Sequence, residues 1–206
     1  MLVGNRMTKE PVTITADVFL SEAQEKMHKG GFRRLPVVSD GKLVGILTDR
    51  DLRGHAGYLD RTKVNGVMTE KVRTVGSSTT LEEAALILLK YQISGLPVVD
   101  EGRLVGIITT SDVMKAFLDT MGASQPATTR IDFILEGEEH GLSAASRVVS
   151  REGGEILGIG TYREKLGEDP VCYLRLRSGN PERIADSLRR AGFNVLGVHR
   201  IGGIDV

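Results

Sequence analysis

The 206-residue chain contains one cysteine and no tryptophan. A single cysteine excludes an internal disulfide and any metal site built from several thiolates. This residue, Cys172, lies among apolar neighbours in a strand-like segment, which favours a buried structural thiol over a catalytic nucleophile. The four histidines are 27, 85 and 59 residues apart, so no pair has the spacing of metal ligands on one helix. We therefore expect no metal site and no catalytic cysteine.

Long apolar runs and an excess of one charge are also missing. Lysine plus arginine and aspartate plus glutamate number 27 each, so the chain lacks the basic surface that neutralises many phosphates, and we expect no nucleic-acid partner. No segment approaches the roughly 18 apolar residues of a membrane span. The first ten residues have no apolar signal core. The composition predicts a cytoplasmic protein with no membrane partner.

Catalytic signatures are missing as well. Glycine is plentiful, with 25 residues, yet the pattern G-x-x-x-x-G-K-[ST] of a phosphate-binding loop does not occur. No nucleophile stands in a recognisable set with a base. The sequence therefore predicts a protein that is not an enzyme and has no catalytic residues.

The chain does contain one segment twice. Residues 7–52 align without a gap on residues 68–113 at an offset of 61, and 18 of the 46 paired positions are identical. The identities concentrate in LPVVSDGKLVGILTDRD, which ends at Asp51, and LPVVDEGRLVGIITTSD, which ends at Asp112. One structural unit used twice can place two like surfaces across a pseudo-twofold axis. The repeat therefore predicts a pair of binding clefts.

Each copy has the pattern strand, helix, strand, tight turn, strand, helix. In the second copy Thr80 and Glu83 form a capping box that opens a helix through about Tyr91. We predict a strand over 71–75 before this helix, and two apolar strands over 96–99 and 104–108 after it, joined by a turn at Gly102. In the first copy Gly30 and Gly31 end the helix. Residues 53–65 connect the copies.

The remainder of the chain has a different pattern. We predict a helix from residue 112 to about 120, strands over 130–135, 156–162, 171–177 and 193–199, and a helix over 142–149. Asn180 with Pro181 opens a second helix, which stops at Gly192. The order β-α-β-β-α-β is the ferredoxin-like arrangement. We therefore predict an α/β (α+β) chain that divides into residues 1–60, 61–122, a linker over 123–129, and a C-terminal domain over 130–206.

Each copy ends its last strand with threonine and places aspartate three residues later, as Thr48 and Asp51 and as Thr109 and Asp112. A helix N-terminus and a threonine hydroxyl can bind phosphate, and the aspartate can accept hydrogen bonds from both hydroxyls of a ribose. The same residues also fit a helix cap, in which they stabilise only the chain itself. The motif alone leaves both interpretations open.

The duplicated pattern of LPVV, a glycine turn, LVGI and T-x-x-D resembles the cystathionine-β-synthase (CBS) domain, and two copies in tandem resemble a Bateman module. This resemblance implies clefts for an adenine nucleotide (AMP, ADP or ATP) or S-adenosylmethionine as a regulatory ligand, with no other cofactor. By position it implies that the T-x-x-D residues hold phosphate and ribose. The residues that it places along the adenine are Val12, Thr13, Val72 and Arg73, bordered by Pro36 and Pro97.

The two copies differ in charge just before these prolines. The first copy has Arg33 and Arg34 where the second has Ser94 and Gly95. Family members that bind charged nucleotides often keep a basic residue here, and guanidinium groups suit phosphate geometry. The alternative is that both arginines are solvated loop charges. We expect the two clefts to be unequal.

The C-terminal segment resembles an ACT domain, a small regulatory fold. This resemblance implies an amino-acid effector site at Gly141 and Leu142, although the proline-glycine turn of that family is His140-Gly141 here. Dimerisation or partner docking is the alternative role for this domain.

Tandem CBS repeats followed by an ACT-like domain resemble the acetoin-utilisation regulatory proteins. We expect a non-catalytic allosteric sensor, a homodimer or higher homo-oligomer, that binds adenine nucleotide and signals to the ACT-like domain or to a protein target. The alternative is a structural adapter or dimerisation module with empty clefts.

Overall fold

The computed structural model describes residues 1–135, 141–163, 165 and 169–201. These residues form two compact units, 1–114 and 115–206. The unit boundary falls inside a helix, ahead of the linker predicted over 123–129. None of the described helices has the length and apolar character needed to cross a bilayer. The described side chains also include no group of three His, Cys, Asp or Glu placed to hold a metal ion.

The first unit contains both copies of the repeat. The first copy comprises β1 (Thr8–Lys9), α1 (Leu20–Gly30), β2 (Arg34–Ser39), β3 (Lys42–Thr48) and α2 (Asp49–Gly54). The second comprises α3 (Leu81–Lys90), β4 (Gly95–Asp100), β5 (Arg103–Thr109) and α4 (Thr110–Thr120). In each copy the last two strands form an antiparallel hairpin with the same register. The paired strands of the two copies are thus separated by the same 61 residues as the sequence repeat.

Local signals in the sequence account for the ends of these elements. Gly31 ends α1 in the left-handed conformation, with φ of 64°. The hydroxyl of Thr80 accepts a hydrogen bond from the backbone N–H of Glu83 at 3.2 Å, which confirms the predicted start of α3. Glu101 and Gly102 have φ of 48° and 77°, so the predicted hairpin turn is confirmed.

The strand predicted over 71–75 is wrong, because only Val75 pairs, in a single parallel bridge to Val98. Val75 donates to the carbonyl of Pro97 at 3.2 Å and accepts from Val99 at 2.9 Å. To extend this parallel ladder by two residues, position 97 would have to donate an N–H, and proline has none. The first copy shows the same single bridge, between Ile14 and Val37. In each copy the proline therefore prevents the parallel ladder from extending from the single bridge toward residue 12 or residue 73.

The two copies exchange their leading segments, so that the start of each copy pairs with a strand of the other. Strand β1 pairs with β5 of the second copy, through Thr8 with Ile107 and Lys9 with Gly106. Reciprocally, Thr69 bridges Ile46 of β3, with N···O distances of 2.9 and 3.0 Å. The two copies are therefore joined through their sheets, and the division at residue 60 stays a prediction.

Two glycines make this exchange possible. A Cβ on Gly106 would lie 2.4 Å from Sδ of Met7 and 3.0 Å from the carbonyl oxygen of Thr8. In the other copy a Cβ on Gly45 would lie 2.5 Å from Sδ of Met68. Each glycine therefore lets the incoming segment of the other copy lie directly on the strand.

The second unit contains β6 (Thr128–Ile134), α5 (Leu142–Arg151), β7 (Glu155–Tyr162), β8 (Val171–Arg177), α6 (Pro181–Arg190) and β9 (Val195–Ile201). Its antiparallel sheet has the order β7-β8-β6-β9. The element order is the predicted β-α-β-β-α-β, although β6 begins inside the predicted linker. Asn180 caps α6 by accepting from the backbone N–H of Arg183 at 3.1 Å, as predicted.

The helices α5 and α6 cover one face of this sheet. Their shared core includes Phe133 and Phe193, whose rings meet edge to face at 5.3 Å. Cys172 is fully buried in the same core. Burial, followed by the charge of Asp132, raises the pKa of its thiol to about 11. The thiol is therefore neutral near pH 7, which suits a structural residue better than a nucleophile.

The exchange of segments predicts a specific glycine requirement. We expect Gly106→Ala to lower the free energy of unfolding of the first unit by about 1 to 3 kcal/mol, because its Cβ would overlap Met7 and the backbone of Thr8. Gly57→Ala is the matched control, since a Cβ there meets no atom within 4 Å. Urea denaturation followed by circular dichroism measures both. Equal stability of the two variants would contradict the interlock.

Candidate functional site

The two T-x-x-D motifs have the same geometry. In the first copy Oδ2 of Asp51 accepts from the backbone N–H of Thr48 at 2.8 Å and from its hydroxyl at 2.7 Å. In the second copy Oδ2 of Asp112 accepts from the N–H and hydroxyl of Thr109 at the same 2.8 and 2.7 Å. Both motifs therefore cap the helices that follow them, as one of the two interpretations of the sequence required.

This cap leaves part of each motif unused. The single proton of each threonine hydroxyl points to the aspartate, so the hydroxyl positions the carboxylate and does not donate elsewhere. The second oxygen, Oδ1, of Asp51 and of Asp112 forms no hydrogen bond with the residues that the structure describes. Both aspartates are half-buried. A fixed carboxylate oxygen of this kind can accept hydrogen bonds from a sugar diol.

The residues expected along the adenine lie on the edge that the prolines create. Pro36 and Pro97 are buried in β2 and β4. Since they donate no N–H, the carbonyls of Val12 and Arg73 lack the ladder partner that a longer strand would give them. Val12 is half exposed, at 50%. Each copy thus offers a carbonyl at the equivalent place.

The other two adenine candidates lie beside this edge. Thr13 and Val72 are both half-buried. At the offset of 61 residues, however, Val12 corresponds to Arg73 and Thr13 to Thr74. The implied pairs are therefore out of step by one residue between copies. The guanidinium of Arg73 lies 4.4 Å from the ring centroid of Tyr91, so this side chain is stacked rather than free.

Arg34 does not lie where the sequence alone suggested. Its Nη2 donates to the hydroxyl of Ser94 in the second copy. Its Cδ lies 2.8 Å from the place where Gly95 would carry a Cβ. Burial lowers the pKa of Arg34, as does the charge of Arg33, and the charge of Asp112 opposes both. Arg34 therefore belongs to the second cleft as much as to the first.

The equivalent positions of Arg34 and Gly95 explain this contact. Arg34 and Gly95 are equivalent residues at the offset of 61, each the first of its strand, and they meet near the pseudo-twofold axis. Only one of two equivalent side chains can occupy the space at such an axis, so the second copy has glycine. Arg33 is exposed, and its carbonyl accepts from the N–H of Asp49 at 2.9 Å. Arg34 thus contacts the second copy, and the expectation that both arginines serve one cleft stays a prediction.

The implied amino-acid site lies in the C-terminal unit. Gly141 is the cap of α5, and its carbonyl accepts from Ala144 and Ala145 at 3.0 and 3.2 Å. Leu142 opens the helix and is 38% exposed. His140 lies outside the described residues.

Two functional features escaped the sequence argument. The sequence shows that Pro36 and Pro97 lack a backbone N–H. Their effect on strand pairing cannot be read from it, because that effect depends on which segment lies beside the proline. The offset shows that Arg34 and Gly95 are equivalent, but it does not show that they are in contact, which depends on how the two copies pack.

Comparison with known proteins identifies the first unit. The family model for the CBS domain matches residues 3–57 and 64–119, more than half of the chain. The chain belongs to the CBS domain family. Each matched segment contains one T-x-x-D motif. The two sites described above are therefore equivalent sites of two CBS repeats.

Three solved structures resemble the CBS pair. An acetoin utilization protein (AcuB) of Vibrio cholerae is 32% identical with a TM-score of 0.55, over 61% of this chain and 98% of that chain. The CBS domain pair of protein MJ0100, solved with 5-methylthioadenosine and S-adenosyl-L-methionine, is 34% identical with a TM-score of 0.54, over 57% and 95%. CBSX2, solved with AMP, is 33% identical with a TM-score of 0.52, over 57% and 96%.

Several curated relatives are longer proteins. The L-aspartate semialdehyde sulfurtransferase of Methanocaldococcus jannaschii is 35% identical over 118 residues, which are 56% of this chain and 23% of that protein. The chain therefore spans about a quarter of the length of this enzyme, and the match covers the CBS part alone.

Proposed function

We propose that this chain is a regulatory protein without catalysis, whose two CBS clefts bind an adenosine derivative: AMP, ADP, ATP or S-adenosylmethionine. The observation that carries the proposal is the duplicated carboxylate. Asp51 and Asp112 each have one oxygen fixed by a threonine, and the other forms no hydrogen bond with the described residues. The ligands in the solved structures of MJ0100 and CBSX2 are adenosine derivatives, which supports this ligand class.

The residues of each cleft have complementary roles. The unbonded oxygen of Asp51 or Asp112 accepts from the ribose hydroxyls, while Thr48 or Thr109 holds that carboxylate in position. The carbonyls of Val12 and Arg73 accept from the exocyclic amine of adenine, and Thr13 and Val72 flank the base next to Pro36 and Pro97. Arg34, at the axis, supplies the charge for phosphate.

The melting temperature of the intact protein tests the proposal. We expect at least one of AMP, ADP, ATP and S-adenosylmethionine to raise it, because a ligand that binds only the folded state adds about 2.7 kcal/mol at 100 times its dissociation constant. Inosine, which lacks the amine of adenine, is the matched control. If nothing in the panel acts at millimolar concentration, the chain is an adapter with empty clefts.

The single axial cation predicts a charge-dependent effect. We expect Arg34→Ala to weaken ADP about tenfold or more and leave adenosine nearly unchanged, because a charge-assisted contact contributes about 1.5 to 3 kcal/mol. Arg33→Ala is the matched control and should change neither, since Arg33 is exposed. Titration calorimetry measures all four affinities. An equal loss for ADP and adenosine on Arg34→Ala, or an equal effect of both arginines, would contradict this role.

The C-terminal unit is proposed as an ACT-like regulatory domain that receives the signal of ligand binding or passes it to a protein target. Its β-α-β-β-α-β order supports this role. An amino-acid effector at Gly141 and Leu142 and a link to acetoin or energy metabolism are parts of the same proposal. The match to AcuB supports the acetoin link through the CBS pair alone.

A homodimer is also proposed, and the two repeats point to one surface for it. Leu86 and Leu89 on α3 are 67% and 75% exposed. The equivalent residues on α1, at the offset of 61, are Glu25 and His28. The second repeat thus presents apolar side chains where the first presents polar ones, and such a patch favours association.

Light scattering tests this surface. We expect the wild type to have at least twice the 22.3 kDa mass of one chain at micromolar concentration. The double variant Leu86→Glu, Leu89→Glu should shift toward one chain, because charges cannot be buried in the apolar contact. Glu25→Gln with His28→Gln is the matched control on α1 and should leave the mass unchanged. A wild type of 22.3 kDa would contradict the dimer.

A further inference from the structure

The face of the C-terminal sheet opposite α5 and α6 carries a row of basic residues. Arg130 of β6 is directly opposite Arg175 of β8 on one side and His199 of β9 on the other. Directly opposite side chains on neighbouring strands lie about 5 Å apart at Cβ, where like charges repel. A sheet has no structural reason to place two guanidinium groups side by side.

One carboxylate faces this row among the described residues. Asp132 is buried and accepts from Nε and Nη2 of Arg130 at 2.6 and 2.9 Å. Nε2 of His199 lies 3.8 Å from Oδ2 of the same group. Arg130 is thereby paired, and its third nitrogen, Nη1, forms no hydrogen bond within the described part of the chain.

Arg175 forms no ion pair of its own with the residues that the structure describes. The residue is 2% exposed, and Nη1 donates to the hydroxyl of Thr128 at 3.2 Å. Its Nε is buried and has no hydrogen-bond partner among the described residues. Burial and the charge of Arg130 lower the pKa of Arg175, and Tyr173 and the charge of Asp132 oppose them only in part. A buried cation with one neutral acceptor is destabilising unless a further anion compensates it.

Aromatic rings flank the row. The guanidinium of Arg130 lies 4.6 Å from the ring centroid of Tyr173 and 5.5 Å from that of Tyr162. Tyr162 is 37% exposed, so this side of the face is open to solvent. Apolar ring surface next to guanidinium groups suits an organic anion better than a bare inorganic one, and the bidentate pair of Arg130 with Asp132 shows that a carboxylate matches this geometry.

We propose that this sheet face is a binding site for a small carboxylate anion, which sits over Arg130 and Arg175 beside Tyr162. The ligand supplies the second negative charge that the row lacks. The site is separate from the adenosine clefts and from the α5 cap at Gly141. It gives the C-terminal unit a ligand of its own.

Cys172 provides a reporter confined to this unit. It is the only cysteine of the chain and is fully buried on the opposite face of β8, so a maleimide reaches it only when the sheet opens. We expect sodium acetate, at constant ionic strength against sodium chloride, to slow labelling of the full chain. At ten times the dissociation constant the slowing is about tenfold.

Arg175→Met separates the ligand site from a structural arginine. The variant keeps the side-chain volume and removes the unpaired charge, so labelling without acetate should be slower than in the wild type, and acetate should have no further effect. Arg177→Met is the matched control on the same strand, because that guanidinium already pairs with Glu155, and it should keep the response to acetate. Faster labelling of Arg175→Met without acetate, or an unchanged response, would overturn the proposal.

Asp132→Asn provides an independent arm if Arg175→Met does not fold. Removal of the resident negative charge should speed labelling without acetate and make acetate more effective. An absent or weaker response in this variant would count against the site. A wild-type response to inorganic phosphate but not to acetate would overturn the carboxylate assignment, and slowing that depends on protein concentration alone would show that a second copy supplies the anion.

Discussion

The reciprocal exchange of leading segments between the two repeats is the contact on which the CBS unit depends. Strand β1 completes the sheet of the second repeat, and Thr69 joins the sheet of the first. Neither repeat therefore has a complete sheet alone, and backbone hydrogen bonds across the two repeats help to fix their relative position. Gly106 and Gly45 leave room for this pairing, because a Cβ at either place would overlap the incoming methionine and force it to shift. The geometry of both clefts follows from this exchange.

Proline has a second structural role in this arrangement. Pro36 and Pro97 sit inside buried strands, where a proline normally disrupts pairing. Here each one stops the neighbouring parallel ladder after a single bridge and leaves a carbonyl of the leading segment without a strand partner. The same residue that weakens the sheet thus prepares a polar edge beside the fixed carboxylates of Asp51 and Asp112. The sheet is less stable at this place, where the proposed ligand supplies the missing hydrogen bonds to the carbonyls.

Much of the fold could be predicted because its signals are local. The caps at Thr80 and Asn180, the left-handed Gly31 and the hairpin turn at Gly102 depend on a few neighbouring residues. The T-x-x-D motif could likewise be placed at two helix starts from its spacing. What could not be predicted depends on partners distant in sequence. The strand over 71–75 failed because its outcome depends on a proline some twenty residues away.

The position of Arg34 also depends on a partner that is distant in sequence. Sequence comparison of the repeats correctly identified positions 33 and 34 as the point where the copies differ in charge. It could not show that equivalent positions meet near the pseudo-twofold axis, so it did not predict the contact between Arg34 and the second copy. The residues implied along the adenine stay a prediction, and the mismatch of one residue between the two copies is visible in the sequence itself, since Val12 aligns with Arg73 at the offset of 61.

The affinity of ADP for the double variant Asp51→Asn, Asp112→Asn tests the central claim most directly. Asparagine keeps an oxygen that can accept the cap hydrogen bonds from threonine, and it replaces the unbonded carboxylate oxygen with an amide that only donates. Calorimetry at matched protein concentration should show that ADP binds the wild type and that the double variant loses affinity by about tenfold or more, with the helix caps and melting temperature largely retained. Unchanged ADP affinity in a folded double variant would show that the duplicated carboxylates only cap their helices.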